Sequence, residues 1–197
     1  GIFYQSPWWE LYSKVEDYFG RIGAAMTRGA EVRDLLVVHP VESVWVEMRR
    51  EWDKSPTVKR LNRQFQALTD ALLGQHLDFD FGDEDIMQRH ARVRREGGRA
   101  VIRLGRATYR AVLVPPARTL RGSTLNLLKD FRAAGGRVVF VGAPPTHVDA
   151  TLSRDAIEFA RGGPRAPLYT AVVLFTIVKV AGALYLSGYG GLAYIMG

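Results

Sequence analysis

The sequence predicts an α/β fold: a doubly wound, mostly parallel sheet with a β-hairpin insertion. It is preceded by a long amphipathic helix and followed by an apolar C-terminal tail. Three observations carry this. Short, continuously apolar runs end in turn residues, the pattern of strands buried on both faces. Segments with helical spacing separate these runs. Charge disappears near the C-terminus: from Pro164 onward only Arg165 and Lys179 are charged.

Residues 6–29 read as one helix. Ser6 suits its cap, Pro7 its first turn, and Gly29 its end. Trp8, Leu11, Tyr12, Val15, Phe19, Ile22 and Met26 recur on one face at spacings of three and four. The run Asp34–Val38, ending in His39-Pro40, reads as a buried strand. A loop through Trp45 and Trp52 leads to a helix opened by Ser55-Pro56. Its apolar residues are Val58, Leu61, Phe65, Leu68 and Leu72, and Gly74 closes it. Leu77–Phe81 alternates with period two, as a strand does. A short helical turn is expected around Ile86 and Met87.

Gly97-Gly98 and Gly105 punctuate stretches around Val93, Val101–Leu104 and Tyr109, as in a β-hairpin insertion. Ala111–Val114 is a third buried strand. Ser123 is expected to cap a helix with Leu125, Leu128 and Phe131 inward, and Arg137–Val141 is a fourth strand. A further helix is expected over 151–160. The domains are then 1–30, an aromatic helix; 31–163, the α/β domain; and 164–197, the tail.

The chain has 197 residues, 27 basic and 20 acidic, and no cysteine. That excludes disulfide frameworks, cysteine zinc ligands and cysteine nucleophiles. The surplus of positive charge outside the tail is modest and lies in mixed-sign segments, so it points to no specific nucleic acid partner. No glycine-rich phosphate cradle follows the first strand, and no G-x-S-x-G elbow is present. No cofactor and no metal is expected.

Ligands of open α/β sheets bind beyond the carboxyl ends of the strands. The substrate-binding candidates there are His39, Glu42, Trp45, Asp83 and Asp85. A His and a Glu at one strand end suit proton transfer, and Trp45 suits stacking on a sugar ring. The structural alternative has His39 capping the strand, Glu42 solvated and Trp45 packed on the first helix. For the run Asp83-Glu84-Asp85, a hard cation competes with a role at a helix start, and the spacing favours the latter.

Several stretches carry a resemblance. They are Gln5–Trp9, Asp17-Tyr18, Arg21, Gly29, Val32–Trp45, Leu77–Phe81, Tyr109–Pro116 and Gly135–Val139. Together, roughly over residues 5–149, they resemble large bacterial glycoside hydrolases of the α-L-rhamnosidase group, glycoside hydrolase family 106. There the similar stretch leaves the catalytic barrel and enters a flavodoxin-like, glutamine-amidotransferase-like domain. A more distant likeness is to the trimerisation domain of family 42 β-galactosidases. The resemblance implies a non-catalytic domain, without glutaminase activity for want of a cysteine. Its implied partners are the barrel of a parent chain, a carbohydrate and a homo-oligomer. The cleaving carboxylates belong to the barrel, and no catalytic residue is assigned in this chain.

The sequence opens at Gly1 with no initiator Met or signal peptide. The expectation is a chain cut from something longer. Leu168–Leu186 is 19 residues with one charge, Lys179. It reads either as a membrane helix or as sequence that disrupts the domain. As a span it would leave the body cytoplasmic, because Arg161 and Arg165 precede it.

Overall fold

A computed structural model describes residues 3–29 and 31–166, and the chain divides after Val32 into two units. The proposed span over 168–186 lies outside the described residues. Among the described residues no helix is long and apolar enough to cross a membrane.

The first unit is built on helix α1 (Trp9–Met26). It starts later than Ser6 and Pro7 suggest, because residues 4–8 form turns and Trp8 takes the cap position with no side-chain cap. The predicted apolar face is present but uncovered within this unit. Trp8, Leu11, Val15, Phe19, Ile22 and Met26 are 37 to 74% exposed.

The second unit begins with strand β1 (Leu35–Val38), four branched apolar residues, all buried. The expected loop after it contains a short helix, α2 (Val41–Trp45), and a 3-10 turn, Trp52–Lys54. Helix α3 (Pro56–Gly74) starts on proline, whose missing N–H costs nothing at that position. Strand β2 (Phe79–Gly82) leads into α4 (Glu84–His90). The expected hairpin is in fact a three-stranded antiparallel sheet: β3 (Ala91–Glu96), β4 (Arg99–Leu104) and β5 (Ala107–Tyr109). Gly97 and Gly98, at φ 56° and 77°, form the two-residue turn between β3 and β4.

Strand β6 (Ala111–Val114) is buried throughout, and a two-residue strand β7 (Thr119–Leu120) follows. In α5 (Gly122–Ala133) the cap position belongs to Arg121, two residues before the expected Ser123, and Ser123 lies within the first turn. Strand β8 (Arg137–Val141) precedes the short antiparallel pair β9 (His147–Val148) and β10 (Thr151–Leu152). The helix expected from Thr151 therefore starts later, as α6 (Asp155–Arg161), because β10 takes its first residues. Strand β11 (Arg165–Ala166) pairs parallel with β8, so the sheet continues past Gly163.

The five-stranded sheet has the order β2-β1-β6-β8-β11, and every pairing is parallel. Alternate residues feed two apolar clusters. Leu36, Val38, Val112, Val138 and Phe140 join Met87, Leu128, Phe131 and Ala160 from α4, α5 and α6. Leu35, Val37, Leu113 and Val139 join Leu68 and Leu72 from α3. The architecture is a mixed α/β domain with a parallel sheet and helices packed on it. Gly136 shows how closely it packs, since a Cβ there would fall 2.2 Å from the Phe131 ring.

Candidate functional site

In open α/β sheets ligands bind in a crevice beyond the carboxyl ends of neighbouring strands; here the neighbours are β6 and β1, which lies between β2 and β6. Two loops meet there, and their backbones are tied through Ser43. Its hydroxyl accepts from the Arg118 and Thr119 N–H groups at 2.9 and 3.1 Å, and lies 3.2 Å from the Thr119 carbonyl as donor. Ser43 is fully buried. Beside it the buried Glu47 pairs with Arg118.

Arg121 organises the crevice. Its Nε donates to Glu42 Oε1 at 2.5 Å, and its Nη1 donates to Asp85 Oδ1 at 3.0 Å and Gln88 Oε1 at 3.2 Å. Asp85 also pairs with Arg89 at 2.6 Å. Hydrogen bonds from Arg121, then Arg89, hold the Asp85 carboxyl below the usual range. The bond to Glu42, seconded by Asp85, holds Arg121 more firmly protonated.

Below this network sits Glu84, 1% exposed. Its Oε2 accepts from the Arg121 backbone N–H at 2.8 Å, while Oε1 has no hydrogen-bond partner among the described residues. Burial pushes its pKa up to about 7, and the negative charge of Glu42 adds to the rise. Thr124 and the Arg121 N–H oppose it, although the Thr124 hydroxyl does not close a hydrogen bond of normal length.

The structure separates the residues that the sequence placed together. His39 and Glu42 share a strand end but take different partners. The His39 ring centroid is 5.5 Å from that of Phe65 and 5.9 Å from that of Phe81. It borders a cleft of about 380 Å³ that Val41, Val44, Trp52, Lys59 and Phe65 also line. Glu42 turns to Arg121 and its side chain is 17% exposed, so it is not the solvated group of the structural alternative. No proton-transfer pair is assembled from these two. Trp45 is 52% exposed and does not line the cleft, whereas Trp52 does.

Asp83 Oδ1 accepts from the Asp85 and Ile86 N–H groups, both at 3.0 Å, and so caps α4. Among the described residues no cluster of acids and histidines could hold a metal ion. Arg121, Glu84 and Glu47 were missed by sequence reasoning. Glu84 was visible only as the middle acid of three, and Arg121 lies 79 residues from Glu42. Comparison with family models, curated proteins and solved structures returned no match.

Proposed function

We propose that this chain carries a non-catalytic, flavodoxin-like, doubly wound domain of a glycoside hydrolase-like protein. It supports a catalytic barrel, and its strand-end face borders the carbohydrate or a second copy. The observation that carries this reading is the network at the crevice. Glu42, Asp85 and Arg121 are bonded to one another, Glu47 is bonded to Arg118, and Asp83 caps a helix. Groups held this way fix loops, and none of these carboxylates is free to serve as the acid or the nucleophile of glycoside cleavage.

The strand order supports the flavodoxin-like part. Counted within the sheet alone, it runs 2-1-3-4-5. The domain acts in the cytoplasm in this reading. The test is turnover of aryl rhamnosides and aryl galactosides by the purified full chain, and none is expected. Turnover that disappears in Glu42→Gln would overturn the proposal.

The cleft beside His39 favours a second reading, a stand-alone module for a small ligand. Its lining is mostly apolar, with Lys59, Asp53 and Asn62 among the polar groups on its walls. Saturable quenching of tryptophan fluorescence by a monosaccharide, lost in Trp52→Phe, would decide for it.

A further inference from the structure

We propose that the outer face of the three-stranded sheet β3-β4-β5 binds the phosphate backbone of a nucleic acid duplex without reading its sequence. Between Arg89 and Arg110 the chain has eight arginines, one acid (Glu96) and no lysine. Averaged over the whole chain this excess is diluted. The fold concentrates it.

Residues paired across antiparallel strands share a face. The register sets Ala91, Val93, Ile102, Leu104, Ala107 and Tyr109 on one face, and these join the apolar core. The same register sets Arg92, Arg94, Arg99 and Arg103 on the other face, all exposed, with Glu96 opposite Arg99, Thr108 opposite Arg103, and the buried Val101 opposite Arg94. Arg92 stands directly opposite Arg103. Like charges facing each other across a ladder are destabilising, and only one acid lies on the face to relieve them, Glu96, 3.6 Å from Arg103. Among the described residues neither Arg94 nor Arg99 has an ion-pair partner. Breaks of a local rule are expected at functional or strained sites.

The chemistry of the face selects the partner. Guanidinium forks match phosphate oxygens two at a time, which lysine cannot do. Alternate residues along a strand are about 6.6 Å apart, which is the spacing of Arg92 and Arg94 on β3, while Arg99 and Arg103 on β4 flank Val101. A membrane-surface binder would add exposed Trp, Phe or Leu for insertion. Between residues 89 and 110 no large apolar side chain is exposed. A single-strand binder would offer aromatic rings for stacking on bases. The one aromatic residue of this sheet, Tyr109, is 3% exposed on the core face, with its hydroxyl donating to Asp80 at 2.8 Å. What remains is contact with the backbone of a duplex, which needs neither insertion nor stacking.

The test is fluorescence anisotropy of the full chain with short labelled duplexes of DNA and of RNA, repeated over a salt series. Binding should weaken as salt rises and should be indifferent to sequence. The triple variant Arg94→Gln, Arg99→Gln, Arg103→Gln should lose about tenfold or more in affinity at low salt. Its plot of log affinity against log salt should be shallower by about 2 to 3, near 0.9 for each lost phosphate contact. A charge-matched variant, Arg49→Gln, Arg60→Gln, Arg63→Gln, should bind nearly as the parent does. Equal weakening by both variants, or none by the first, would overturn the proposal. So would arginine-dependent binding to phosphatidylserine vesicles with no binding to duplex. Hydrogen exchange on the parent chain gives a readout free of variants: duplex should protect amides over 91–104, and protection only elsewhere refutes the assignment.

Discussion

Arg121 and Arg94 are the same residue type in two settings. At the crevice between β1 and β6, Arg121 holds Glu42, Asp85 and Gln88 together, and its own N–H is held by Glu84. On the inserted sheet, Arg94 is exposed and faces Val101 across the ladder, with further arginines beside it on the same face. One guanidinium is a cross-link between loops far apart in sequence. The other is a charge directed at solvent. The difference teaches that sequence alone does not assign a role to an arginine; the acids that the fold brings within reach of it do. It also predicts that the crevice responds strongly to mutation in folding stability, and the inserted sheet hardly at all.

The largest expected effect concerns the group the crevice satisfies least well. Burial raises the Glu84 pKa from 4.5, the ordinary value it has in the unfolded chain, to about 7 in the fold. Between those pH values the folded state keeps a proton that the unfolded state has released. Its contribution is therefore most favourable below about 4.5 and is lost as pH rises to about 7, up to about 3 kcal/mol in all. Glu84→Gln keeps a carbonyl acceptor for the Arg121 N–H and cannot ionise. Urea unfolding at intervals from pH 4.5 to 8 should show the variant gaining on the parent as pH rises. A difference that is constant across this window would mean that Glu84 is not a buried, strained carboxylate.

Next in size is Arg121→Met. It leaves Glu42 without its cation and removes one of two from Asp85. Exposed pairs contribute at most about 1 kcal/mol, and breaking a fully buried one costs about 3 to 5. With Arg121 27% and Glu42 17% exposed, the cost should be about 2 kcal/mol, read by thermal or urea unfolding. Arg94→Met in the same assay should stay within about 0.5 kcal/mol. Equal losses at the two positions would erase the contrast.

How far the sequence revealed this arrangement depends on whether a feature is local. Strands β1, β6 and β8 were legible because each is a continuous apolar run, in β8 from Val138 onward, which only a strand covered on both sides needs. The third strand of the inserted sheet was not, since Ala107–Tyr109 is too short to show a period. Helix α2 was hidden for the same reason. Of the candidate residues, Glu42 and Asp85 do meet, but through Arg121, which no spacing could connect to them. Burial of Glu84 arises from the packing of α4 against the segment that opens α5, so nothing around it in sequence announces it. The arginine field was legible in principle. A count over 89–110 finds it, whereas a net charge for the whole body averages it away.

The smallest effect tests the inserted sheet from the opposite direction. If Arg92 and Arg103 face each other across the ladder without a structural purpose, removing one charge should help the fold rather than harm it. Arg103→Thr places a β-branched residue, favoured in strands, beside Thr108 and opposite Arg92. It gives up only a long, exposed contact with Glu96 at 3.6 Å, worth little in water. At low salt the variant should be more stable than the parent by a few tenths of a kcal/mol, about what an opposed like-charge pair costs. Salt screens exposed charges over about 10 Å at 0.1 M and about 3 Å at 1 M. The charge part of the advantage should therefore shrink as salt is raised, leaving only the residual strand preference of threonine. The measurement is a pair of urea titrations at low and high salt for parent and variant. A loss of more than about 1 kcal/mol at both salts would show that Arg103 makes a stabilising contact of its own. The inserted sheet would then resemble the crevice, and its arginines would no longer stand out as charges left free for a partner.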